Sequence, residues 1–141
     1  GAAIDSMELD AFIGPCTVLQ VPGGVITGEY VDKHFPKKCK RLLIKGGGRA
    51  FFMDSSAEEL SGRGLMLIGT DSLSVGCAGN ETAPHKAFMQ GGTAILEGLD
   101  LSEVQPGEYF LFAPPVLYDG LEAAPVRAVL ISDYIFWSGN H

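Results

Sequence analysis

The stretch Leu65-Met66-Leu67-Ile68-Gly69-Thr70-Asp71-Ser72-Leu73-Ser74 decides the fold. Its first five residues run on without a polar side chain, as in a strand covered on both faces rather than one half open to water. The polar run from Thr70 to Ala83 then reads as a loop at the carboxyl end of that strand. A strand covered on both faces belongs in a sheet flanked by helices, and the neighbouring segments fit. Asp54-Ser55-Ser56-Ala57-Glu58-Glu59-Leu60 carries a helix-start signal, and Gly62 and Gly64 end the helix. Upstream of it, residues 41–45 read as a strand closed by Gly46-Gly47-Gly48. Residues 26–35 read as a short helix with Thr27 as N-cap and Pro36 as its stop. Residues 15–21 have strand composition and end at Pro22-Gly23-Gly24.

Downstream, Pro84-His85 opens a short helix, Gly91-Gly92 turns the chain, and residues 93–97 form the next strand. Residues 108–112 and 126–132 complete the strands, with Pro114-Pro115 and Asp119-Gly120 marking the loop between them. Strands alternating with short helices predict an α/β fold with a largely parallel or mixed sheet. No internal repeat or linker interrupts residues 1–141, so one domain is expected.

Composition narrows the function classes. The chain has 141 residues, of which 46% are hydrophobic and 19% charged, a globular balance with enough length for one core. A formal net charge of -7 disfavours nucleic acid and anionic membrane surfaces as partners. No apolar run reaches the roughly 18 residues of a membrane span, and no basic stretch followed by an apolar one reads as a signal peptide. A cytoplasmic protein is expected. The three cysteines, Cys16, Cys39 and Cys77, form no CxxC pair. Cys16 reads as a small core residue. Cys39, in Lys37-Lys38-Cys39-Lys40, has cationic neighbours that favour a thiolate, against the plainer expectation of an inert exposed thiol. No GxSxG elbow supports a serine hydrolase.

His85 and Glu97 are the pair with most chemical content. The helix that His85 begins runs away for about two turns, roughly 10 Å, and the strand ending at Glu97 returns over roughly 13 Å. Such an excursion brings the two ends back together, and imidazole with carboxylate suits a divalent cation. On spacing alone a plain surface pair is the commoner outcome. Asp71, Ser72 and Ser74 come after the buried strand, where ligands gather in α/β sheets, so they are candidates for a substrate pocket. The alternative is loop chemistry, with Asp71 capping nearby backbone N–H groups. Gly46-Gly47-Gly48 offers backbone amides to an anion but lacks any GxGxxG or GKS/T context, so a flexible connection is expected.

Taken together, several segments resemble one family. Ile68-Gly69-Thr70-Asp71-Ser72-Leu73-Ser74-Val75 is similar to the GxDxxSxD-like stretch of the cyclase family, which includes the bacterial kynurenine formamidases (arylformamidases). Pro84-His85-Lys86 and Ala94-Ile95-Leu96-Glu97-Gly98-Leu99 resemble its H…(I/L)xEgL segment. Asp100-Leu101-Ser102-Glu103-Val104, Pro106-Gly107 and Ala124-Pro125-Val126-Arg127-Ala128-Val129-Leu130-Ile131 are similar to the family's later segments. Leu9-Asp10-Ala11-Phe12-Ile13-Gly14-Pro15 resembles the entry to the family's central strand.

That resemblance implies a swivelling β/β/α domain with a mixed sheet, read here as a cyclase-like domain truncated at its N-terminus. It implies a metal-dependent hydrolase, in which a divalent metal, zinc or manganese, activates water for attack on a formamide, amide or lactone-type carbonyl. His85 and Glu97 fall on two of the family's metal ligands. The family's early HxGTHxDxPxH motif, which supplies the other ligands and the catalytic histidine, is not present in these residues; it would precede the segment aligned with Ile4-Asp5. Two alternatives therefore stand beside a hydrolase: a catalytically inactive short relative serving as a binding or assembly module, and an unrelated small-molecule-binding α/β domain. A small-molecule substrate and a homo-oligomer are expected, with Tyr134-Ile135-Phe136-Trp137 as a candidate contact.

Overall fold

In the computed structural model, residues 6–118, 122–125 and 128–133 are described. The elements run α1 (Ser6–Ala11), β1 (Ile13–Gln20), β2 (Gly24–Ile26), α2 (Gly28–His34), β3 (Arg41–Lys45), β4 (Ala50–Phe52) and α3 (Asp54–Gly62). They continue with β5 (Leu67–Thr70), α4 (Thr82–Gln90), β6 (Ala94–Leu96), β7 (Gly107–Phe112), β8 (Pro115–Tyr118), β9 (Glu122–Pro125) and β10 (Val129–Ile131).

Six strands form one mixed sheet in the order β10-β7-β1-β3-β5-β6. The pairs β1–β3, β3–β5 and β5–β6 are parallel, while β7 lies antiparallel to both β1 and β10. Of the apolar run of residues 65–69, the last three enter β5; Leu65 and Met66 precede the strand, and Thr70, read as the first loop residue, ends it. All four residues of this strand are buried because strands flank it on either side and apolar layers cover both faces.

Side chains alternate across a strand, and β3 divides its apolar residues accordingly. Leu42 and Ile44 join one cluster with Val31 of α2, Leu60 of α3 and Phe88 of α4. Leu43 joins Val18, Leu67, Leu96, Leu101 and Leu111 on the other face. Fully burying each such side chain contributes about 1.5–3 kcal/mol. On the helical face Phe52 stands edge-on between Phe35, with centroids 6.4 Å apart, and Phe88 at 5.2 Å, the arrangement that ring quadrupoles prefer.

Several elements differ from the expectation for local reasons. The helix at Pro84 starts two residues earlier, at Thr82. Proline is tolerated there because the first-turn N–H groups have no intrahelical partner to lose. The three-residue strands β2 and β4 pair in parallel beside the main sheet and carry no readable period. Within the segment read as a loop, β8 and β9 pair antiparallel, and α1 precedes β1. Of the strand read over residues 126–132, β10 covers Val129–Ile131, and Val126 and Arg127 lie outside the described residues. Asp119-Gly120 and Tyr134-Ile135-Phe136-Trp137 also lie outside them. Among the described residues no helix is long and apolar enough to cross a membrane.

Candidate active site

Glu97 is the first residue after β6, and Ser74 lies in the loop after β5, so both stand beyond the carboxyl ends of neighbouring parallel strands. That is where open α/β sheets place their ligands. Helix α4 packs against β6 and carries His85 in its first half. The three residues, with Glu81, Thr82, Lys86 and Met89, line one cleft of about 440 Å³. The outward helix and the returning strand thus end at a common place.

The cleft is open to solvent, and both His85 and Glu97 are exposed residues. Oε2 of Glu97 accepts a hydrogen bond of 2.8 Å from the Val75 main-chain N–H. Among the described residues no other group donates to this carboxylate, and none bonds the His85 imidazole, so a nitrogen lone pair and one carboxylate oxygen are uncommitted. Ser74 lines the cleft while its hydroxyl accepts from the Gly76 N–H at 3.2 Å. Gly76 is held close beneath: a Cβ there would meet the main chain of Asn80 at 2.5 Å and of Glu81 at 2.7 Å, so only glycine lets the loop approach the start of α4.

Asp71 and Ser72 are placed differently. The Asp71 carboxylate accepts from the main-chain N–H groups of Gly46, Gly47 and Gly48 at 2.9–3.1 Å. The glycine run and the aspartate, read separately in the sequence, are two halves of one contact, in which the chain supplies its own anion. Ser72 is fully buried and its hydroxyl donates to the Ala50 carbonyl at 2.9 Å. Neither lines the cleft. Thr82, Glu81 and Met89 escaped the sequence reading, and their spacing of three or four positions from His85 is the signal that finds them; Lys86, directly after His85, has no such signal.

Imidazole and carboxylate facing one cleft are donors that fit a divalent cation taking mixed nitrogen and oxygen ligands. No group of three or more His, Cys, Asp or Glu able to hold a metal ion occurs among the described residues. His85 and Glu97 fit one side of such a site. None of the three thiols, Cys77 included, lines the cleft. Cys16 is buried, and burial pushes its thiol up to about 12, while the Cys39 thiol donates to the Arg41 carbonyl at 2.7 Å.

No protein-family model matches the chain. Individual proteins do. It is 33% identical over 142 residues to the kynurenine formamidase of Delftia acidovorans, covering 92% of this chain and 68% of that protein. It is 32% identical to the kynurenine formamidase of Paracidovorax citrulli, with the same coverage of each. Among solved structures, a potential metal-dependent hydrolase with cyclase activity superposes with a TM-score of 0.79 at 26% identity, over 92% of this chain and 70% of that one. Sequence and fold agree, and the chain belongs to the family of cyclase-like hydrolases that contains the kynurenine formamidases.

Proposed function

We propose that this chain carries part of the active site of a metal-dependent hydrolase that cleaves a small formamide, amide or lactone-type substrate at its carbonyl. The observation that carries this is the meeting of His85 and Glu97 at one cleft, on residues twelve positions apart. Its relatives support it: two are kynurenine formamidases, and the structural neighbour is a potential metal-dependent hydrolase.

A divalent cation such as zinc or manganese, when bound, supplies Lewis acidity that polarises a carbonyl and acidifies water. His85 would hold it through a ring nitrogen. Glu97 would hold it through the carboxylate oxygen that Val75 leaves free, the Val75 N–H fixing the carboxylate against rotation. Lys86 and the hydroxyls of Thr82 and Ser74, which line the cleft, would donate hydrogen bonds to a bound substrate, with Met89 as an apolar contact. Titration calorimetry with Zn²⁺ and Mn²⁺ tests the site. Affinity is expected to fall at least roughly ten-fold in His85→Ala, and a variant that binds as the wild type does would overturn the assignment.

A second reading is a catalytically inactive relative acting as a binding or assembly module, its cleft of His85, Glu97 and Glu81 holding a cation without turning a substrate over. A catalytic zinc takes three protein ligands and a water. Cation binding without hydrolysis of an aryl formamide would decide for it. In either case we infer self-association through the face where Phe112, Val129 and Ile131 lie exposed at 44%, 41% and 44%.

A further inference from the structure

The contacts that fasten the loop after β5 converge on Glu97. Gly47 and Gly48 take φ of 66° and 75°, which turns successive N–H groups to one side and forms a concave anion site. Gly46 donates to both Asp71 oxygens at 3.1 Å, Gly47 to Oδ2 at 2.9 Å and Gly48 to Oδ1 at 3.1 Å. The connection between β3 and β4 is thereby tied to the end of β5.

From that anchor the loop is pinned residue by residue. The Ser72 N–H donates to the Thr70 hydroxyl at 3.0 Å, and the Ser72 hydroxyl donates to Ala50. The Ser72 carbonyl accepts from the Gly98 N–H at 2.8 Å, which fixes the main chain next to Glu97. Val75, fully buried, accepts from the Phe52 N–H at 2.7 Å through its carbonyl. Its own N–H then reaches the Glu97 carboxylate. Glu97 is gripped twice, at the neighbouring peptide by Ser72 and at the side chain by Val75, and both grips sit on the loop that Asp71 fastens.

We propose that Asp71 is a positioning residue for Glu97, acting through residues 72–75 without touching the cleft itself. This rests on the reading of Glu97 as a cation donor. A carboxylate is required because three N–H donors converge on two oxygens. An asparagine would turn an NH₂ toward at least one of them, and alanine would leave all three without an acceptor.

Co²⁺ titration followed by visible absorption tests this on the full chain, since the d–d bands report ligand geometry as well as affinity. Glu97→Gln is expected to weaken Co²⁺ binding at least ten-fold. Asp71→Asn is expected to weaken it several-fold and to shift the bands. Thr27→Ala, which loses a helix cap far along the chain, serves as a control for general destabilisation and should change neither. If Glu97→Gln weakens binding while Asp71→Asn keeps wild-type affinity and bands, the positioning role is overturned. If Glu97→Gln has no effect, the reading of Glu97 fails, and the proposal with it. Should Asp71→Asn not fold, Ser72→Ala removes a single bond from the same loop and carries the same comparison.

Discussion

Arg41 shows how one residue holds two elements together. It is 7% exposed at the start of β3, and its guanidinium donates to the carbonyls of Asp10, Ala11 and Pro15, joining the end of α1 and the start of β1 to the sheet. Arg41→Met would remove this donor from the buried Ala11 carbonyl and from the part-buried carbonyls of Asp10 and Pro15, at a cost of about 1–3 kcal/mol measured by urea unfolding. Arg41→Lys should recover little, because an ammonium cannot reproduce the planar fork. Cys16 makes a pH prediction. Its thiol is pushed from 9.0 to about 12, first by burial and then by neighbouring Cys39 and Glu108. Above pH 9 the unfolded chain releases this proton while the folded one keeps it, so Cys16 favours the fold fully below pH 9 and progressively less as pH rises toward 12. The wild-type urea midpoint should therefore drop more between pH 9 and 11 than that of Cys16→Ala. At this scale the sequence named Cys16 as a core residue and offered both roles for Asp71. It could not join Asp71 to Gly46–Gly48, because that contact spans 23 to 25 positions and no local pattern encodes it.

Elements with local signals were legible, and those defined by distant partners were not. Thr27 was readable as the cap of α2, and its hydroxyl oxygen accepts from the Tyr30 N–H at 3.1 Å. Thr27→Ala should cost about 1 kcal/mol in unfolding experiments. The strand β5 was legible from an apolar run that burial on both faces imposes; its last residue, the buried Thr70, is polar and was therefore read as loop. The strands β2 and β4 were not, since three residues cannot show alternation. The site at the ends of β5 and β6 arises from the excursion through α4, which two glycines and a helix of nine residues make readable. The packing of α4 was hidden. Phe88 is fully buried against Phe52, and Phe88→Ala should lower stability by about 3–5 kcal/mol, with α4 the first helix to lose amide protection in hydrogen exchange.

For the molecule as a whole, mixed α/β architecture was readable from the order of its elements, whereas the antiparallel placement of β7 beside β1 was not. The exposed apolar residues on β7 and β10 bear on self-association: light scattering should give a mass above one chain, and Val129→Lys with Ile131→Lys should return it to a single chain. An unchanged mass in the double variant would exclude that face. The ion pairs, by contrast, lie largely at the surface, as with Lys33 and Glu29 at 2.8 Å, so added salt should shift the unfolding midpoint little. The partnership of β1 with β7 also has a consequence in time. Thr17 bonds Glu108 across 91 positions, so the first strand leaves the ribosome long before its second neighbour exists. At synthesis rates of about 5–20 residues per second that wait is on the order of ten seconds. Throughout it, one flank of β1 offers unpaired amides to any passing chain, and a newborn copy of this protein is a natural client for a chaperone.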